Sequence, residues 1–480
     1  MKYHALIISC NIKTTYRLGG GYRIATFLRT QGWDVEVIDY IMFWTLDELK
    51  ELARSRITDN TKFIGFSTLW SMWSPKLEEF LTWIKTVYPS IITIIGGQQC
   101  QMIESGADYF VNGYGENAIL NIVKHHFTNS TDQLMKDLRW SKLGKNVVGH
   151  DHYPSAPLDS LLIQYEDRDY IDQNEWLSIE FSRGCKFECT FCNYPLLGVK
   201  YDHSRTAQDF DKHLRDAHDR FGVTNYYICD ETFNDSVEKM SKFANVVRNL
   251  DFQPKFSAFI RADLMVARPQ DRDLMLAMGV IGHFYGIETM NAASGKIIGK
   301  GMHPDKLLPG LLDIKSYFKK HGPYRGDLSL IVGLPEETEQ SMSAALKWLY
   351  ENWQGESAIV WPLGLPDDPM YNKLNKLSIN REKYGYRQSN MPVPDDPSNI
   401  ISSTLLNWEN DYFTYARAME ISTNAAKELN RLDFRVSCWN LGEYGMSNIY
   451  DVIELPNSAN MHTPIDRIEK YKRKKLGESL

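Results

Sequence analysis

Twice along this chain, short runs rich in Val, Ile, Phe and Tyr alternate with amphipathic stretches of helical period. That alternation restricts the fold to parallel strands joined by crossover helices. In the first series the strand-like runs are Ala5 to Ser9, Val35 to Ile38, Phe63 to Ser67, Ile91 to Ile95 and Tyr109 to Val111. Helical stretches at Tyr22 to Gln31, Leu46 to Arg54, Pro75 to Val87 and Asn117 to Phe127 separate them. An α/β architecture follows, with an open Rossmann-like sheet over residues 1–127. The pattern loosens over 128–175, where Pro, Asp and Tyr collect, and a linker is expected there. The second series has strands near Leu177 to Ser182, Tyr226 to Cys229, Phe256 to Ile260, His283 to Ile287, Leu328 to Val332 and Ala358 to Trp361. Its helices fall at Ala207 to Phe221, Ser236 to Leu250, Pro304 to His321 and Glu336 to Asn352, which predicts a partial (β/α)6 TIM-type barrel over 176–365. Residues 366–480 read as a mixed carboxyl-terminal segment with one helix at Asp411 to Leu429.

Charge and cysteine usage narrow the function. A net charge of -7 over 480 residues argues against a surface that coats nucleic acid. No segment approaches eighteen uninterrupted apolar residues, so a cytoplasmic protein with no membrane partner is expected. The basic run Lys470 to Lys475 reads as a solvated tail. Seven cysteines are present, and three of them crowd into Cys185 to Cys192, unlike an oxidised secreted framework.

Those three carry the strongest signal, in Ser182-Arg183-Gly184-Cys185-Lys186-Phe187-Glu188-Cys189-Thr190-Phe191-Cys192. The Cys-x-x-x-Cys-x-x-Cys spacing supplies three soft thiolates from one loop, which suits zinc or an iron-sulfur cluster. Structural zinc normally takes a fourth protein ligand, and the nearest candidate, His203, lacks finger spacing. A four-iron cluster on three cysteines leaves one iron open. Polar groups also follow every other strand of the second series, with Asp230-Glu231, Arg261, Glu288, Gly333-Leu334-Pro335 and Pro362-Gly364 at the successive carboxyl ends. In a parallel barrel that rim is where active sites are built.

The cysteine loop resembles that of the radical S-adenosylmethionine (SAM) superfamily. The resemblance implies a four-iron four-sulfur cluster on Cys185, Cys189 and Cys192 as the catalytic metal centre, SAM on the open iron, and a 5′-deoxyadenosyl radical after reductive cleavage. It also implies Phe191 against the adenine and Glu231, or Asp230 in its place, accepting from the methionine amino group. Arg261 would pair with the methionine carboxylate and Glu288 would bind the ribose. Backbone at Gly333 would lie against the adenine, while Pro335, Glu336 and Glu337 open the next helix. An electron donor such as flavodoxin or ferredoxin is implied as a partner.

A Rossmann-like sheet ahead of such a barrel is similar to the cobalamin-binding branch of the superfamily. The loops implied to enclose cobalamin hold Ser67, Thr68, Gly96, Gly97, Gly113, Gly115 and Glu116, and Gly19 to Ala25 resembles that branch's first helix. No Asp-x-His-x-x-Gly element is present to ligate cobalt, and Ser67 to Trp73, with Trp70 and Trp73, is expected to close the lower face. Methylation of an unactivated carbon is the implied reaction. The alternatives are cyclisation or rearrangement, radical chemistry without cobalamin, and a non-catalytic metal-binding protein. A dinucleotide site is disfavoured, since no Gly-x-Gly-x-x-Gly opens a helix after the first strand. The substrate is read as a small molecule or peptide, met by Trp408, Tyr412, Tyr415, Trp439 and Tyr444.

Overall fold

The computed structural model describes residues 3–10, 17–68, 73–97, 100, 103–127, 139–140, 146–149, 158, 162–192, 204–366, 375–392, 405–438, 456 and 465–477. The first series forms strands β1 His4–Cys10, β2 Asp34–Ile38, β3 Thr61–Thr68, β4 Ile92–Gly96 and β5 Tyr109–Asn112. Helices α1 Gly19–Thr30, α2 Leu46–Arg56, α3 Pro75–Val87 and α4 Glu116–Phe127 cross between them. The strands are near-continuous apolar runs because helices cover both faces of a parallel sheet.

Two short strands from the expected linker extend that sheet: β6 Arg139–Trp140 and β7 Asn146–Gly149 give the order β2-β1-β3-β4-β5-β7-β6. β7 runs parallel to β5, with Val147 and Val148 opposite Phe110 and Val111. A two-valine run is too brief to display a period of its own, and its strand character comes from the edge it completes.

The second series forms six parallel strands, β8 Trp176–Ile179, β9 Asn225–Ile228, β10 Lys255–Ile260, β11 Val280–Glu288, β12 Arg325–Val332 and β13 Ser357–Pro362, paired in sequence order. The expected helices at 207–221 and 304–321 are present as read, the first capped by the Thr206 hydroxyl accepting from Asp209 N. One boundary is corrected: the helix after β12 begins at Glu339, because Thr338 caps it by accepting from Ser341 N in a reciprocal pair. Pro335 and Glu336 therefore precede the helix, and Glu337 turns into the interior with 1% of its surface exposed. The carboxyl-terminal helix spans Tyr415–Arg431, four residues later than its expected start, since Thr414 provides the cap.

A single hydrophobic core runs from the α1 and α4 face of the first sheet into the barrel. On the opposite face a second core is closed by the helix Ile465–Leu476. This overturns the reading of Lys470 to Lys475 as a solvated tail. Ile468, Tyr471, Lys472 and Lys475 share one buried helical face, with the Lys475 ammonium 2.8 Å from Glu36 and the Tyr471 hydroxyl accepting from Asp39 N at 2.9 Å. Lysine stems cover apolar surface while their heads find carboxylates, so a run of charge along the sequence became one charged and one buried face in space. Among the described residues no helix is long and apolar enough to cross a membrane.

Candidate active site between two strand rims

The cysteine loop leaves β8 and is held from four directions. Asp230, at the end of β9 and buried, accepts from Phe181 N (2.7 Å), Ser182 N (3.1 Å) and the Ser182 hydroxyl (2.6 Å), with the Lys239 ammonium at 3.5 Å. Its oxygens are thus committed to shaping the loop, which leaves the adjacent Glu231 as the carboxylate available to a ligand. Further along, Thr190 N donates to Ile298 O, Leu377 N to Thr190 O, and the Asn375 amide to Phe191 O. Cys192 N closes a turn onto Cys189 O at 3.1 Å.

Cys185, Cys189 and Cys192 are all unbridged and half-buried. Burial pushes the Cys185 thiol up from its ordinary value, against hydrogen bonds from Phe187 N and the Thr232 hydroxyl. At Cys189, Arg261 Nη1 donates to Sγ at 3.7 Å while the guanidinium lies 4.0 Å over the Phe187 ring. A cation beside a thiolate stabilises the charged, ligating form. Arg261 already has a carboxylate partner, Asp263, at 2.6 Å. Among the described residues no three His, Cys, Asp or Glu side chains gather into a single-ion cage. A polynuclear cluster takes one thiolate per iron and asks for no such cage.

Glu231 carries a buried Oε2 with no hydrogen-bond partner, and burial pushes its carboxyl up to about 8. An orphan buried acceptor is costly unless a ligand donates to it. Glu288 stands at a left-handed backbone position (φ 67°), accepts from the Ser329 hydroxyl at 3.3 Å and has the Lys300 ammonium at 3.5 Å. Lys300 also lies 6.0 Å from the Phe191 ring centroid. Gly333 has φ 92°, and any Cβ there would sit 2.2 Å from the Trp408 ring. Glu337, read from the sequence as favouring the next helix start, instead supports this loop by accepting from Gly333 N (3.3 Å) and the Thr289 hydroxyl (2.8 Å), and burial raises its carboxyl to about 8.

Trp408 is thereby corrected from substrate contact to core. It is fully buried, with its indole N–H on Leu363 O, and Tyr415 is buried beside it. Tyr412 is exposed, whereas Trp439 and Tyr444 lie outside the described residues, as do Trp70 and His203. Trp73 also departs from expectation. Its N–H donates to Glu78 and its ring packs on Phe66 at 5.3 Å, and it does not line the crevice below.

Between the rims of the two sheets lies a crevice of about 1600 Å³, counting the part open to solvent. Ser67, Thr68, Gly96, Gly97, Gly113, Gly115 and Glu116 all line it, so the structure brings together every described residue expected there. Seven glycines stand in this wall among apolar side chains such as Ile24, Phe66 and Ile119. At Gly97 (φ 132°) a Cβ would stand 2.2 Å from Thr68 O, so only glycine lets the backbone lie this flat. The facing wall comes from the barrel and holds Ser178, Glu180, Arg183, Tyr227, Cys229 and Phe259. Glu180 and Arg183 were missed by sequence reasoning. Arg183 sits inside the cysteine motif, and its signal, a charged residue next to an apolar strand end, is common at any rim.

The family model described as the radical SAM superfamily matches residues 179–349, which contain the cysteine loop and strands β9 to β12. The chain is 22% identical over 315 residues to cytidylyl-2-hydroxyethylphosphonate methyltransferase of Streptomyces wedmorensis, covering 54% of this chain and 56% of that protein. It is 24% identical over 167 residues to an uncharacterised methyltransferase of Pyrococcus horikoshii, covering 35% of each. The chain thus spans between a third and just over half of the length of these curated relatives. Its fold superposes on the radical SAM methyltransferase TsrM of Kitasatospora setae, solved with cobalamin and a [4Fe-4S] cluster bound, with a TM-score of 0.66 and 16% identity over 99% of this chain and 100% of that one. The whole architecture, sheet followed by partial barrel, is shared with that enzyme.

Proposed function

We propose that this chain is a cobalamin-dependent radical SAM enzyme that methylates an unactivated carbon of a small molecule or peptide. One observation carries the reading: a crevice lies between the two sheets, lined by Gly96, Gly97, Gly113 and Gly115 on one side and on the other by Ser178, Glu180 and Arg183, the last of them two residues before Cys185. Two of the curated relatives are named methyltransferases, which supports the reaction class, whereas a third, from Rubrivivax gelatinosus, is named a cyclase. When bound, the cluster with SAM supplies a 5′-deoxyadenosyl radical and the corrin a transferable methyl group.

The chain's own residues then have distinct tasks. Cys185, Cys189 and Cys192 hold three irons, and Arg261 steadies the Cys189 thiolate. Glu231 offers its orphan oxygen to the methionine amino group, and Glu288 accepts from ribose hydroxyls. Gly333 presents bare backbone to the adenine, supported from beneath by Glu337. The glycines of the first rim let a flat ring lie against backbone, while Phe66, Tyr227 and Phe259 exclude water that would quench reactive species. An electron donor of the flavodoxin or ferredoxin class supplies the reductant, in the cytoplasm.

The test is anaerobic reconstitution with iron, sulfide and hydroxocobalamin, followed by gel filtration and absorption spectroscopy. Retained corrin bands, 5′-deoxyadenosine formed under reduction and species heavier by 14 mass units in lysate are the expected results. A protein holding one zinc and no iron or sulfide would defeat the proposal outright.

A further inference from the structure

Four charged side chains stand almost wholly enclosed where the two rims meet. The side chains of Arg23, Glu116 and Arg183 are 6%, 2% and 4% exposed, and that of Glu180 is 18% exposed. Arg23, from α1, and Arg183, from the cysteine motif, both donate to the same Glu116 oxygen, at 3.0 and 2.9 Å. Arg183 also donates to both Glu180 oxygens, at 2.6 and 3.3 Å. The ring of Tyr114, from the first domain, lies 4.3 Å from the Arg183 guanidinium. One N–H group of Arg183, at Nη1, is buried with no acceptor. All five residues line the crevice.

The quartet is neutral, and a buried ionic group of this kind is seldom more stabilising than apolar packing of the same volume. Its cost therefore needs a purpose other than holding the domains together. Arg183 stands two residues before Cys185 and touches Glu116 and Tyr114 from the loops that form the opposite wall. Tyr114 lines the crevice between Gly113 and Gly115, and its ring lies against the Arg183 guanidinium, whose Nη1 has no acceptor.

We infer that Arg183, covered by Tyr114, is a positioning residue that couples occupancy of the interdomain crevice to the cluster loop, so that corrin and SAM bind cooperatively. The inference rests on the proposed function, since it takes cobalamin as the occupant of the crevice. Coupling of this kind is reciprocal, each ligand changing the affinity of the other by the same factor.

The experiment titrates SAM by calorimetry into the full chain, cluster reconstituted and anaerobic, with and without hydroxocobalamin. The wild-type chain is expected to change its SAM affinity by about 5-fold or more when corrin is bound. In Arg183→Met the factor should fall below about 2-fold while the cluster absorbance persists. Tyr114→Phe keeps the ring face and should keep the coupling, whereas Tyr114→Ala should lose it. Should Arg183→Met fail to take up a cluster, Glu116→Gln, which leaves the cysteine motif untouched, must weaken the coupling on its own. Undiminished coupling in Arg183→Met and Tyr114→Ala overturns the inference, as does a wild-type chain that binds both ligands independently. A wild-type chain that retains no corrin overturns the proposed function itself, a distinct result.

Discussion

The two rims that face each other across the crevice are built on opposite principles. The rim of the first sheet sets seven glycines and two small hydroxyls, Ser67 and Thr68, among apolar side chains, with Arg23, Tyr114 and Glu116 at the junction with the barrel. The barrel rim presents thiols, carboxylates and guanidinium groups, many of them restrained by neighbours such as Asp230, Lys300 and Asp263. A flat, largely neutral cofactor asks a protein for a surface, whereas chemistry on a cluster asks for oriented groups. The same parallel strand ends supply both, because every β-to-helix turn leaves backbone donors and side chains pointing to one side of the sheet.

The largest effect that would test this division is at the barrel. Cys189→Ala should abolish cluster uptake and SAM cleavage, read from the iron and sulfide content and from 5′-deoxyadenosine, while far-ultraviolet circular dichroism stays unchanged. On the other rim, Gly97→Val should prevent corrin retention and lower stability by at least about 2 kcal/mol, since a β-branched residue at φ 132° is strained. Cluster content should be preserved in that variant, and its loss would mean that the two rims are not separable.

Within the barrel rim, two adjacent carboxylates offer a finer contrast. Glu231→Gln should weaken SAM binding by about 10- to 100-fold with little change in melting temperature, as expected for a charge-assisted hydrogen bond to a ligand. Asp230→Asn should do the reverse, lowering stability by about 1 to 3 kcal/mol, since an amide NH2 cannot accept from the Ser182 hydroxyl, while Lys239 keeps Asp235 at 2.7 Å. Equal effects of the two on SAM affinity would show that loop shape and ligand contact are not divided between them.

The smallest effect concerns pH. Glu337 has its carboxyl raised from about 4.5 to about 8 in the folded chain, so the folded state holds a proton that the unfolded state releases. Its contribution to stability is fully present below pH 4.5 and is lost as pH rises through about 8, on the order of a few kcal/mol. Denaturant midpoints measured from pH 5 to 8.5 should fall in the wild-type chain and fall less in Glu337→Gln. A parallel decline in both would assign the slope to other groups.

Much of this molecule was legible before any coordinates. Most strands and crossover helices lie within a few residues of their periodic signal, because parallel strands covered on both faces need continuous apolar runs that few other arrangements tolerate. The short helices Ala262–Ala267, Asp271–Met278 and Ala292–Ile298 were not read. The three cysteines and the glycine loops were likewise visible as local spacing. What was not legible depended on partners distant in the chain. Asp230 and Glu231 look alike in sequence, and only the Ser182 and Phe181 amides, some 48 residues away, commit the first to structure. Trp408 reads as a substrate aromatic until Gly333 is found beneath it. The basic run at Lys470 to Lys475 reads as solvated until helical phase brings Lys475 onto Glu36, 439 residues distant.

By itself, then, the sequence determined which strands exist, that they run parallel, and which loop carries the thiols, since these follow from period and spacing over a dozen residues or fewer. Tertiary structure alone decided which polar groups are spent on holding the scaffold and which are left free. That choice is made by burial and by hydrogen-bond partners drawn from remote segments, and no local pattern of residues encodes where those partners will be.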